Sequence, residues 1–172
     1  VNGVVYLIRA FREVLKKYPG CRLFMAGSGN YDICLQEAKD ICPQITFTGL
    51  LEKEELNEIY QIADIGVVPS LFEPFGYVAV EMMMHELPVV VTGTSGLNEG
   101  VDDSCGLKTP ITVLPDRVEI DTTLLSEKIL YLLQHPNEAK RMGQDGRKRY
   151  LEKYSSEIFR GNMLQLYKSM VT

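Results

Sequence analysis

No apolar run in this 172-residue chain approaches the ~18 residues of a membrane-spanning helix, and no secretory leader pattern opens it. Histidine and cysteine are scarce. There are two histidines, His85 and His135, and four cysteines, Cys21, Cys34, Cys42 and Cys105, none of them in a C-x-x-C pair. A structural zinc site needs closely spaced ligands, so this inventory argues against one. The cysteines read as reduced structural thiols of a cytosolic protein, with Cys21 inside a buried strand. Basic charge is in deficit: 18 Lys and Arg against 23 Asp and Glu leave a net charge of -5. That balance argues against a dedicated nucleic-acid binder. One basic cluster, Lys140, Arg141, Arg147, Lys148 and Arg149, could touch anionic lipid. The favoured reading is a solvated helix face offset by Glu138, Asp145 and Glu152. Repeats, low-complexity tracts and interdomain linkers are missing too. The expectation is a single domain over residues 1–172, with 45% hydrophobic residues to build its core.

Strand-like and helix-like segments alternate, which implies a parallel sheet covered by helices. Val4 to Lys17 carries a helical stripe of Leu7, Ile8, Phe11, Val14 and Leu15. Further helices are expected at 31–41, 53–63, 77–85, 123–134, 137–153 and 155–170, with a short one near Glu99. Strands are expected at 21–26, 45–48, 65–69 and 88–92, with 105–109 as the last. Pro43, Pro136 and several glycines punctuate the pattern.

The apolar run Ile65 to Val68 reads as a buried parallel strand. It leads into Pro69-Ser70-Leu71-Phe72-Glu73-Pro74-Phe75-Gly76-Tyr77-Val78-Ala79-Val80-Glu81. One carboxylate, Glu73, lies in the loop beyond the strand's C-terminal end. The other, Glu81, lies just over one turn into the next helix. Ligands of open α/β sheets bind at this place. The first helical turn leaves N–H groups free and its dipole favours negative charge. Phe75, Gly76, Tyr77 and Val78 could offer those N–H groups to a diphosphate. Glu81 would accept from ribose hydroxyls and Glu73 from hydroxyls of a transferred sugar. Gly27-Ser28-Gly29 also sits between a strand and a helix, as a phosphate loop would. Asp32 occupies the third glycine position of a dinucleotide fingerprint, so a tight turn is the alternative.

This segment resembles the E-x7-E signature of retaining GT-B glycosyltransferases of glycosyltransferase family 4, also called glycosyl transferases group 1. Ala63 to Ser70, Leu87 to Thr92, Ser95 to Val101 and Cys105 to Leu107 resemble the surrounding family segments in the same order, over nearly the whole chain. Glu86 departs from the glycine usual at that helix end. The resemblance implies a Rossmann-like parallel sheet with helices on both faces, the C-terminal, donor-binding half of a GT-B fold. It implies transfer of a hexose from a nucleoside-diphosphate sugar to an acceptor hydroxyl with retention of configuration. It implies no cofactor and no metal; Asp102-Asp103 is not a D-x-D pair. Glu73 is the expected catalytic residue. Phe75, Gly76, Tyr77, Val78, Glu81, Gly27 and Ser28 are the expected donor-binding residues. The acceptor, a sugar or lipid-linked sugar, would enter through an N-terminal domain outside this chain, and peripheral membrane contact at the inner face is compatible. Val1 to Phe11 resembles the family segment that follows the domain's first strand, so that strand would precede Val1. The strands at 21–26 and 65–69 would then pair directly, or receive a strand from another molecule. The isolated chain would be inactive. A sugar-nucleotide epimerase and a non-catalytic sugar-nucleotide-binding module are the alternatives.

Overall fold

The structure, a computed structural model, describes residues 3–171, and the backbone alone of Val171. Val1 and Asn2, the start of the segment that resembles the one after the family's first strand, lie outside the described residues.

Helix α1 (Val4–Lys17) buries Leu7, Ile8, Phe11 and Val14 along one face and places Lys16 and Lys17 at its negative C-terminal end. Then follow β1 (Leu23–Ala26), α2 (Tyr31–Glu37), a 3-10 turn at Cys42–Gln44, β2 (Ile45–Gly49), α3 (Lys53–Ile62) and β3 (Gly66–Val68). Next come α4 (Tyr77–Met84), β4 (Val89–Thr92), α5 (Ser95–Gly100) and β5 (Gly106–Thr109). The chain ends with a hairpin of β6 (Ile111–Val113) and β7 (Val118–Ile120), followed by α6 (Thr122–Gln134), α7 (Pro136–Lys153) and α8 (Ser156–Val171).

Strands β3, β4 and β5 form one parallel sheet, with Val67 opposite Val90 and Val90 opposite Leu107. β4 is buried along its whole length, as a central parallel strand must be. Its side chains alternate between two cores. Val90 packs with Leu7, Ile8, Phe11 and Val14 of α1 and Leu125 and Ile129 of α6. Val89 and Val91 pack with Met83 of α4 and Leu97 of α5. Helices therefore cover both faces, which is the Rossmann-like α/β arrangement expected.

β1 and β2 form a separate parallel pair. Among the described residues β1 and β3 do not pair, so the first of the two expected alternatives, direct pairing, does not hold. A groove of about 950 Å³ lies between them. Cys21 to Ala26 line one side, Ile65 to Val67 the other, and Val4, Leu7 and Phe11 of α1 and Val78 and Met82 of α4 complete it. The β1 edge is correspondingly open: Phe24 is 43% exposed. Cys21 lies ahead of β1 rather than within it and is only half-buried. All four cysteines are free.

Two further expectations need correction. Residues 105–109 are not the last strand, because the β6–β7 hairpin follows, fixed in part by Tyr6 Oη donating to the Val118 carbonyl at 3.3 Å. α2 stops at Glu37 rather than 41; turn residues 38–41 follow it, and then the 3-10 turn at Cys42–Gln44 with Pro43 in it. Of the basic cluster, Arg147 donates to the Met84 carbonyl. Arg149 donates to the Glu99 and Gly100 carbonyls at 2.7 Å each and pairs with Asp102. These bonds satisfy the C-terminal ends of α4 and α5. Lys140, Arg141 and Lys148 stay exposed. No helix among the described residues is long and apolar enough to cross a membrane.

Candidate functional site

The loop from Pro69 to Gly76 leaves the C-terminal end of β3 and is fastened from three sides. Thr92, at the end of β4, donates through Oγ1 to the Ser70 carbonyl at 2.5 Å. The Gly96 amide of α5 donates to the Glu73 carbonyl at 3.0 Å. The Glu73 carboxylate accepts from the Gly76 amide at 3.1 Å and from Ser70 Oγ at 3.5 Å. Glu73 is thus half-buried with both oxygens engaged.

Two glycines make this geometry possible. Gly76 has φ +93°, a left-handed conformation, and a methyl there would approach Leu97 Cδ2 to 2.7 Å. A methyl on Gly96 would stand 2.5 Å from the Pro74 carbonyl and the Phe75 amide nitrogen. The second contact is a close backbone approach that only glycine permits.

Gly76 is the N-cap of α4, and no side chain caps the helix. The amides of Tyr77 and Val78, in its first turn, have no intrahelical acceptor. Phe75 and Tyr77 are surface residues, 41% and 70% exposed, with ring centroids 4.5 Å apart. A Cβ added to Gly3, the N-cap of α1, would meet the Pro69 carbonyl oxygen at 1.7 Å. The N-terminus of α1 therefore abuts the end of β3. Two helix N-termini, each with a positive dipole end, flank the Glu73 loop.

Glu81 is exposed on α4, and its Oε2 accepts from Tyr60 Oη at 3.5 Å. Burial, together with the Glu81 charge, pushes the Tyr60 phenol well above its ordinary range, so it stays a donor. One turn on, His85 Nε2 lies 3.1 Å from Asn57 Oδ1. Burial, and then Arg147, lower the His85 pKa, which favours the neutral ring.

Gly27 and Ser28 stand apart from this cluster. They follow β1, where the Gly27 amide donates to the Gly49 carbonyl at 2.8 Å. No hydrogen bond among the described residues joins either to Glu73 or Glu81. Gly27 shares the lining of the groove with Pro69 and Val78. The N-terminus of α2 beyond is closed by Asn30, whose Oδ1 accepts from Ile33 N at 3.3 Å. Sequence reasoning placed Glu73, Phe75, Gly76, Tyr77, Val78 and Glu81 in one loop-and-helix unit, and the structure does so. It overlooked Ser70, Thr92, Gly96 and Asn57. It took no account of the Tyr60 hydroxyl either. The one local signal was Tyr60 itself, since a buried phenol needs a hydrogen-bond partner.

The sequence profile of the family described as glycosyl transferases group 1 matches residues 1–149. An uncharacterized glycosyltransferase of Methanocaldococcus jannaschii is 38% identical over 103 residues, 57% of this chain and 26% of that protein. The GDP-mannose-dependent monoacylated alpha-(1-6)-phosphatidylinositol monomannoside mannosyltransferase of Corynebacterium glutamicum is 28% identical over 98% of this chain and 44% of its own length. Among solved structures, the sucrose-phosphate synthase of Thermosynechococcus elongatus superposes with a TM-score of 0.82 at 28% identity, over 99% of this chain and 42% of that one. This chain spans less than half the length of each of these proteins. The family profile covers most of the chain, and the order of strands, loop and helices agrees with it: the chain belongs to the glycosyl transferases group 1 family.

Proposed function

We propose that this chain is the donor-binding part of a retaining glycosyltransferase that moves a hexose from a nucleoside-diphosphate sugar to an acceptor hydroxyl. The observation that carries the reading is the meeting of two helix N-termini, of α1 and α4, around a loop carboxylate at the C-terminal end of β3. In this reading the diphosphate lies against the free amides of Tyr77 and Val78, with the Phe75 amide beside them. The Gly76 amide is held by Glu73. Negative charge grows on the diphosphate as the glycosidic bond breaks, and dipoles already aimed there stabilise it without reorganising. Glu81, one turn along α4, accepts from the ribose hydroxyls. Glu73 faces the transferred sugar, where positive charge develops. Gly27 and Ser28 border the donor from the far side of the groove.

The nucleotide donor is supported by the name of the C. glutamicum relative, which prints dependence on GDP-mannose. That name also prints a lipid-linked acceptor, in keeping with an acceptor sugar or lipid-linked sugar entering through a part of the protein outside this chain. Retention of configuration rests on the resemblance of Glu73 and Glu81 to the E-x7-E signature.

Titration of the full-length protein with UDP, GDP and ADP tests the reading. One of the three will bind, and Glu81→Ala will weaken it by ~1–3 kcal/mol, the cost of removing a charged acceptor. Equal affinity in both proteins would remove Glu81 from the donor site.

A further inference from the structure

Helices α3 and α4 are joined by two rungs. Asn57 and Tyr60, one turn apart on α3, face His85 and Glu81, one turn apart at the other helix. One rung is Tyr60 Oη to Glu81 Oε2 at 3.5 Å; the other is His85 Nε2 to Asn57 Oδ1 at 3.1 Å. The Tyr60 and His85 rings fill the space between the rungs, with centroids 5.4 Å apart. Tyr60 is 6% exposed, so its ring is fixed by packing, while Glu81 is exposed. An exposed glutamate samples several rotamers, and a ligand that needs one of them bears the cost of selecting it. A donor on an immobile ring makes that selection before the ligand arrives, which is the physical content of preorganisation. The phenol is held in its protonated, donating form by burial and by the carboxylate it faces. Among the described residues the hydrogen bond to Glu81 falls on Oε2, which leaves Oε1 to accept from a ligand.

We propose that Tyr60 is a positioning residue for nucleotide recognition: its hydroxyl holds one oxygen of Glu81 so that the other is presented to the ribose hydroxyls. The inference rests on the assignment of Glu81 to the ribose made above. It adds a determinant of sugar recognition that comes from a neighbouring helix and touches no ligand itself.

The test compares two ligands in the full-length protein. One is the nucleoside diphosphate that binds; the other is its 2′,3′-dideoxy counterpart. The ratio of their affinities isolates ribose recognition, because a general loosening of the α3–α4 packing weakens both alike. Tyr60→Phe keeps the ring and removes the hydroxyl. It will lower the ratio about three- to tenfold, the span of one hydrogen bond, and leave the dideoxy affinity unchanged. Glu81→Gln will lower the ratio further, and Tyr60→Phe added to Glu81→Gln will lower it no more. Tyr60→Met, a second variant without a hydroxyl, must give the same ratio as Tyr60→Phe, with thermal melting confirming that each is folded. A wild-type ratio in folded Tyr60→Phe or Tyr60→Met, alongside a collapsed ratio in Glu81→Gln, overturns the role of Tyr60 alone. A wild-type ratio in Glu81→Gln overturns the ribose assignment, and the role of Tyr60 with it.

Discussion

The carboxylate of Glu73 accepts a hydrogen bond from the amide of Gly76, three residues on, at 3.1 Å. The side chain that the proposed function sets against the donor sugar therefore also closes the loop that carries it. A glutamine at this position keeps an oxygen for the Gly76 amide, loses the charge, and faces Ser70 Oγ with a donor in place of an acceptor. An alanine loses both. The two substitutions separate loop geometry from electrostatics.

Gly76→Ala will be strongly destabilising. The left-handed φ of +93° penalises any residue with a Cβ, and that Cβ would sit 2.7 Å from Leu97 Cδ2. The backbone cost is ~1–2 kcal/mol, and crowding a packed core adds ~1–3 kcal/mol. Urea denaturation will show the midpoint falling accordingly. A loss below about 0.5 kcal/mol, the range of an indifferent surface change, would mean that this loop is not held as described.

Stability will fall as pH drops below the ordinary histidine range. Burial, and then the neighbouring Arg147, lower the pKa of His85 in the folded protein, while Glu81 opposes them. The unfolded chain, with its ordinary value of about 6.5, then takes up the proton first. Full stability is present above that value and is lost as pH falls through the folded pKa. Thermal melting from pH 7.5 to 5 will show the decline, and His85→Gln will flatten the part of it that precedes carboxylate titration. An identical pH profile in His85→Gln would refute the assignment.

The helices were legible in the sequence where their apolar stripes are long. α1 has the expected bounds because Leu7, Ile8, Phe11 and Val14 repeat at helical spacing over about two turns. The β6–β7 hairpin was not legible, since each strand has three residues and no alternation can be read from so few. Glu86 was flagged as an odd residue at a helix end, and its φ of +60° shows why glycine suits that place. The functional residues divide the same way. Glu73, Gly76 and Glu81 lie within nine consecutive residues, so spacing alone places them together. Their supports come from elsewhere: Thr92 from β4, Gly96 from α5 and Tyr60 from α3. Contacts between distant segments leave no periodic trace in the chain. The fate of the Gly76 amide, taken up by Glu73, is likewise a matter of folded geometry.

The groove between β1 and β3 has a strand on each side, apolar lining, and the N-terminus of α1 at one end beside Pro69. Groove-facing amides of Leu23–Ala26 and Gly66–Val68 will therefore exchange rapidly in this chain, because no strand pairs with them on that side among the described residues. Protection equal to that of β4 amides would contradict the open groove.

The central claim is that Glu73 acts on the reacting sugar while α4 holds the nucleotide. Single-turnover transfer and nucleoside diphosphate titration of full-length Glu73→Gln test it together. A charge that matters where the glycosidic bond breaks acts mainly in the transition state. The account predicts a kcat lowered by ~10²–10³-fold, the scale of losing one preorganised electrostatic group, with nucleoside diphosphate affinity unchanged. A kcat near the wild-type value, with the loop intact, would contradict it.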